Sequence, residues 1–387
     1  MVHRFEGSKV LYTTSAFSVI GTCGEPEKLE RPESPVQPVK EEKISIARFS
    51  PLFYRLDFDK NAIIKQKREE HAVKQSVSHY MMPGDKEEDI RAIVCALGLD
   101  GIENLIYGEV PAAHPVPGLT VGCHLAYWPV WMNFYLGKKE WYEKDFPTIA
   151  DRKRVFGGET VEEWLRKIRN NIRAALVEKP AYLVWHVADC RNVDIWTREF
   201  QYTNREILAK TAELYGQVAD EIPSTVEVLF ENIFWPGLYD LKPEEVDYFF
   251  SLLPGKNVGI MLDTGHLMNT NINLETEAEA ADFVCQVVKQ LGTMKSLIRG
   301  IHLSCSLSGA YQKATWGKVP KTWNAEIIGR HIISIDQHRP FTTDAARHIV
   351  ETVEPEYLTH ELFGKSYGIP VEEVKRQLKA LGIMSNA

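Results

Sequence analysis

Nine side chains stand out in a search of the chain for chemistry: His124, His186, Glu231, Asp263, His266, His302, Asp336, His338 and Glu361. All are imidazoles or carboxylates, the side chains that bind zinc, manganese or iron(II). Seven sit at or just past the ends of short apolar, β-branched runs: LTVGCHL, AYLVWHV, TVEVLFEN, VGIMLDT, IRGIHLS and EYLTHEL. Asp336 and His338 come from the loop-like string Ser-Ile-Asp-Gln-His-Arg. Taken singly, each has a plainer reading. His186 reads as a satisfied core histidine, Asp263 before Thr-Gly as a turn or cap, and Glu231-Asn232 as a structural hydrogen-bonding pair. Asp336 and His338 read as solvated loop residues. Taken together, the coincidence points to a metal centre. Gathered without cations, the four carboxylates would repel and raise each other's pKa values, and bound cations remove that cost. Two or three divalent ions are expected, with zinc first and manganese or iron as alternatives.

Such a gathering needs elements that aim residues far apart in sequence at one point. Eight β-rich runs, at 9–14, 102–107, 119–125, 181–187, 225–232, 258–264, 298–304 and 356–362, alternate with helical patterns. Near-continuous apolar runs suit strands covered on both faces, and the alternation is that of βα units. The expectation is a single (β/α)₈ barrel, whose C-terminal strand ends converge on one cavity. Residues 1–45 are read as an N-terminal strand followed by an exposed Pro/Glu-rich loop. Residues 46–387 are read as the barrel domain, with a long loop or insertion at 304–335 after strand 7. Between the strands, PGDKEEDIRAIVCALG reads as a helix with Asp85 as N-cap and Gly98 as stop. The remaining histidines, His3, His71, His79, His114, His331 and His348, are assigned to the surface or to packing. His360 should face the surrounding helices, because side chains alternate along a strand.

Composition narrows the partners. A 387-residue chain, 44% hydrophobic and 25% charged, supports a large globular core. No apolar run reaches membrane-spanning length, no secretory signal pattern opens the chain, and the six cysteines lack framework spacing. These features imply a cytoplasmic location and thiols acting as small hydrophobes. The net charge of −8 disfavours broad attraction to nucleic acid. A local exception, Lys313 to Lys321 with Trp316, could line a basic groove, although a solvated loop is the better reading.

VLFENIFWPG, GIMLDTGHLMNTN, RGIHLSCS, SIDQHRPF and YLTHEL resemble the strand-end signatures of the endonuclease IV / xylose isomerase-like TIM-barrel superfamily, its AP endonuclease family 2 type included. The resemblance covers roughly residues 98–365. It implies a four-ligand core of Glu231, Asp263, His302 and Glu361, with His266 close to substrate. The endonuclease IV branch implies further ligands, which His124, His186, Asp336 and His338 would supply. Two departures are Ala126 in place of a proline and Gln337 in place of an arginine. The segment before Asp336 also exceeds the family's spacing, and no duplex-binding loops are recognisable.

Three reactions fit. Hydrolysis of a phosphoester ranks first, on a small phosphorylated or nucleotide-like substrate rather than duplex DNA, because the ligand count exceeds what isomerisation requires. Sugar or sugar-phosphate isomerisation or epimerisation comes next, with Glu231 and Glu361 shuttling a proton through a metal-bound enediolate. Tyr127, Trp128, Trp131, Trp235 and Trp316 are candidate faces for a sugar ring, packing being the better assignment for most tryptophans. Multinuclear iron oxygen chemistry is third. Glu231, Glu361 and His266 are the candidate catalytic groups.

Overall fold

The computed structural model describes residues 73–385 except 83, 113, 256 and 365–367. Eight parallel strands close into a barrel in chain order. They are β1 (Lys74–His79), β2 (Gly101–Ile106), β3 (Thr120–Leu125), β4 (Tyr182–His186), β5 (Glu227–Glu231), β6 (Val258–Asp263), β7 (Ile298–Leu303) and β8 (Tyr357–His360). Strands two to eight lie where the sequence predicts them.

The first strand needs correction. The run at 9–14 lies outside the described residues, and the barrel's first place is taken by KQSVSH, which pairs with both β2 and β8. Its polar character hides it from a search for apolar runs. The barrel interior is polar at that point: Ser76 is buried and its Oγ lies 3.0 Å from Thr359 Oγ1. His79, assigned above to surface or packing, is buried at the end of β1 with Nε2 3.0 Å from Asp85 Oδ2. Asp85 is thereby occupied and is not the N-cap of the helix α1 (Glu87–Leu97), whose N-cap Lys86 makes no side-chain cap bond. Gly98 does end α1, in the left-handed conformation at φ 69°.

Helices α2 (Val161–Leu176), α3 (Asn204–Gly216), α4 (Pro243–Leu252) and α5 (Glu277–Gln290) pack outside the sheet. Capping boxes start α2, α3 and α5, with Thr160, Thr203 and Thr276 each reciprocating with a glutamate three residues on. The segment expected as a long loop after β7 carries two helices instead, α6 (Gly309–Thr315) and α7 (Ala325–Ile335). Helices α8 (Ala345–Val353) and α9 (Val371–Ala380) complete the layer.

Inside the barrel, Tyr182, Val184, Leu229, Met261 and Tyr357 form an apolar floor. Tyr182 requires its neighbour to be glycine: a Cβ at Gly122 would stand 2.1 Å from the Tyr182 ring. Above that floor the interior turns polar. His186 and Glu231 are register partners across β4 and β5, as are Asp263 and His302 across β6 and β7. Strand pairing thus sets these four donors side by side at the mouth. Among the described residues, no helix is long and apolar enough to cross a membrane.

Candidate metal centre

All nine candidate residues meet at the C-terminal end of the barrel, in three groups of potential donors: His124, His186 and Glu231; His266, Asp336 and His338; and Glu231, Asp263, His302 and Glu361. Glu231 belongs to two of them. Its Oε2 lies 3.2 Å from Nε2 of both His124 and His186. Its Oε1 lies 3.3 Å from His302 Nδ1 and 3.2 Å from His266 Nδ1. Glu361 Oε2 approaches His302 Nδ1 at 3.0 Å, and Asp263 Oδ2 does so at 4.0 Å. In the second group Asp336 Oδ2 stands 3.1 Å from His266 Nε2 and 2.8 Å from His338 Nε2.

The chain returns from its long excursion to place Asp336 and His338. Cys305 and Arg339 exchange both backbone hydrogen bonds, so residues 305 and 339 lie side by side. Between them, Ser306 Oγ donates to Ile335 O at 2.9 Å and accepts from Gln337 N at 2.7 Å. His338 sits at φ 43°, a left-handed conformation that costs a non-glycine residue about 1–3 kcal/mol. Asn232 is structural. Its side-chain amide accepts from Asp263 N at 2.9 Å and donates to Asp263 O at 3.0 Å, stitching β5 to β6.

These donors suit metal ions on three counts. First, ligand atoms about 2.0–2.1 Å from a tetrahedral cation stand about 3.3 Å from one another, close to most of the N···O separations here. Second, several rings have the other nitrogen held. His124 Nδ1 faces Leu125 O at 2.9 Å, His266 Nδ1 faces Asn232 O at 2.9 Å, and His338 Nδ1 faces Glu361 O at 3.0 Å. Such bonds fix the tautomer and ring direction of a ligating histidine. Third, among the described residues, Glu231 Oε1, Asp263 Oδ2, His302 Nδ1 and Glu361 Oε2 are buried close together yet make no well-aligned hydrogen bond. Unpaired buried polar atoms are costly, and a cation among them removes that cost.

Without metal, the cluster's charges lock onto one another. For Glu231, burial favours the neutral acid, but His186, His302 and His124 outweigh it and hold the carboxyl well below its ordinary range. Burial, reinforced by Glu361 and Glu231, pushes Asp263 up to about 8. Burial would lower His338, yet Asp336 and Glu361 raise it to about 9. His302 and His266 rise well above 6.5 because surrounding carboxylates overcome burial. His186 is the exception: burial takes it down to about 4.

Glu103 escaped the sequence reading. Fully buried in β2, its carboxylate lies 3.0 Å from His302 Nε2 and accepts from Tyr182 OH at 2.8 Å. The signal was present: a glutamate inside a strand covered on both faces needs a specific partner. The aromatic candidates separate. Tyr127, Trp128, Trp131 and Trp235 are buried, Tyr127 stacking on His186 at 4.3 Å, whereas Trp316 is 50% exposed. His360 turns to the helices, as alternation requires, with Nδ1 3.0 Å from Gln377 Nε2 in α9. His331 is buried in packing against Tyr311, and His114 and His348 are exposed. His3 and His71 lie outside the described residues.

No family model matches the chain, and no curated protein does. Solved structures similar to it include three proteins of different reaction type. Mannonate dehydratase from Streptococcus suis aligns at 12% identity and TM-score 0.43, covering 80% of this chain and 93% of that one. Endonuclease IV from Thermus thermophilus aligns at 13% identity and TM-score 0.42, covering 80% and 97%. A sugar phosphate isomerase/epimerase from Parabacteroides distasonis aligns at 10% identity and TM-score 0.39, covering 81% and 94%. Likenesses this distant carry no weight on the reaction. The barrel rests on its own strand pairing.

Proposed function

We propose that the chain is a divalent-metal-dependent phosphoester hydrolase acting on a small phosphorylated or nucleotide-like substrate, with metal ions held by the nine residues at the barrel mouth. The observation that carries this reading is the division of Glu231, one oxygen turned to the His124–His186 pair and the other to His302 and His266. A shared carboxylate suits a multinuclear site. Bound there, divalent ions would supply Lewis acidity, an activated water at neutral pH and a clamp for phosphate oxygens.

The chain's own residues do the rest. Glu231 holds two donor groups in fixed relation. Asp336 links His266 and His338, and the left-handed turn at His338 aims its ring inward. Glu361, whose side chain is 13% exposed, is the most accessible donor and is placed to orient a water. In this reading His266 and Glu231, both enclosed from solvent, serve to hold metal, while the catalytic roles expected of them from the sequence belong to the isomerase alternative.

Isomerisation is the second reading. It is favoured by the convergence of Glu231 and Glu361 on one nitrogen of His302, Nδ1, at 3.3 and 3.0 Å, where two carboxylates could move one proton. Metal stoichiometry separates the two. Purified protein should carry more than one equivalent of zinc, manganese or iron, and should release phosphate or nitrophenol from nitrophenyl phosphoesters. A single equivalent confined to the four-donor group, without esterase turnover, would defeat the hydrolase reading in favour of the isomerase. Iron as the native metal, with oxygen consumption, would favour oxidation instead.

A further inference from the structure

Among the described residues, Arg198 is a cation without an anion. It follows the short helix Asp194–Thr197 at the C-terminal end of β4 and is half-buried. Among the described residues, no carboxylate lies within ion-pairing distance of it. Its contacts are the Gln312 side-chain oxygen, which accepts from the guanidinium, and the indole of Trp316, 5.1 Å away. Both contacts are uncharged, and burial, outweighing the opposing influence of Tyr239 and Cys190, pulls the guanidinium below its ordinary value. Charged side chains leave water at a cost and are ordinarily paired when they do so. The backbone bears a cost too: Arg198 stands at φ 58°, in the left-handed region. A strained residue presenting a charge that no carboxylate among the described residues balances suggests a ligand.

The surroundings fix this arginine rather than neutralise it. Gln312, in α6, is 1% exposed and donates to Ser308 Oγ at 2.8 Å and to Asn269 O at 3.2 Å. Ser308 Oγ donates to Asn269 Oδ1 at 2.8 Å. Asn269 Nδ2 in turn reaches Asp336 Oδ1 at 3.5 Å. A continuous chain of buried amides and one hydroxyl therefore ties Arg198 to the donor group of His266, Asp336 and His338. Trp316, half exposed, lies against the guanidinium, whose hydrogens beyond the one given to Gln312 remain to donate to the oxygens of an anion.

We propose that Arg198, braced by Gln312 and Trp316, is an anchoring site for a phosphate group of the substrate other than the one being cleaved. This rests on the hydrolase reading and adds to it: the substrate carries a second phosphate. Guanidinium-to-phosphate bonds are charge-assisted and strong where water is partly excluded, so an otherwise unpaired charge becomes paired when substrate arrives.

Inorganic phosphate is the probe, titrated calorimetrically into the metal-loaded protein. Arg198→Gln should weaken binding by roughly tenfold or more, Arg198→Lys should recover part of it, and metal content should stay unchanged in both. Lys318→Gln, an exposed neighbour, should leave binding unaltered. Absence of phosphate binding to the wild type, equal affinity in Arg198→Gln, or an equal loss in Lys318→Gln would overturn the proposal. Turnover of p-nitrophenyl phosphate is scored separately. If it is absent while phosphate binding still depends on Arg198, the hydrolase assignment fails and the anion site stands.

Discussion

His302 and His360 occupy neighbouring strands, one register step apart, and both are fully buried, yet they lead opposite chemical lives. His302 points into the barrel mouth among Glu103, Glu361 and Glu231, and their field overcomes burial to lift it well above 6.5. His360 points outward to Gln377 and Gln75, and burial alone drives it down to about 3. The comparison shows that burial alone does not make a histidine a candidate ligand. The face of the strand decides, by choosing between carboxylates at the mouth and neutral amides beneath the helices. Disrupting the inner face should cost metal and reaction; disrupting the outer face should cost only stability.

The strongest test removes the carboxylate shared by two donor groups. Glu231→Gln should lose metal from both groups that use it and lower turnover by a thousandfold or more, on the order of 4 kcal/mol. Elemental analysis alongside far-ultraviolet circular dichroism reads this directly. Full metal content in a folded variant would mean that the inner face is an ion-pair network and nothing more.

His338→Ala should act on one group only, leaving the other two loaded. The same group carries a pH signature. In the metal-free protein His338 sits at about 9, so at pH 7 its ring is protonated and that proton must leave before the nitrogen can bind a cation. Metal binding should therefore release protons, and affinity should fall as pH drops below about 9, where protons compete for the ring. Titration in weak buffer would show the release, and a pH-independent affinity would contradict it.

The contrast between faces also explains what could be read from the sequence. Strands two to eight were legible because most of their residues are apolar, and the nine candidate donors because each follows such a strand or a recognisable loop. The first strand was not, since KQSVSH faces the polar interior through Ser76 and lacks the apolar signal. Asp336 and His338 were legible as types but not as positions. Their arrival depends on the Cys305–Arg339 pairing, a contact between distant residues that no local pattern encodes. Glu103 was visible yet passed over, because its partner His302 lies 199 positions away. Arg198 announces itself only through the absence of a carboxylate beside it among the described residues, which a sequence cannot display.

Glu103→Gln tests a subtler version of the comparison, because it alters the partner that holds His302 and leaves the candidate ligands in place. The amide can still accept from Tyr182, so the fold should survive. Loss of the carboxylate behind a ligating ring should weaken metal affinity about 10–100-fold at the four-donor group. Competition with a chelator measures this, and unchanged affinity would reduce Glu103 to a packing residue.

The smallest effect belongs to the outer face. His360→Leu should keep every metal equivalent and cost about 1–3 kcal/mol, because one Gln377 hydrogen loses its acceptor in the core. The sign of its pH dependence is fixed. His360 is at about 3 when folded, against an ordinary value near 6.5, so the unfolded chain binds more protons between those limits. The wild type should therefore lose stability as pH falls from 6.5 towards 3. His360→Leu lacks that titration, so its deficit in melting temperature should be greatest near pH 7 and shrink on acidification. A deficit that instead grew in acid, or any loss of metal, would show that the outer face is coupled to the centre after all.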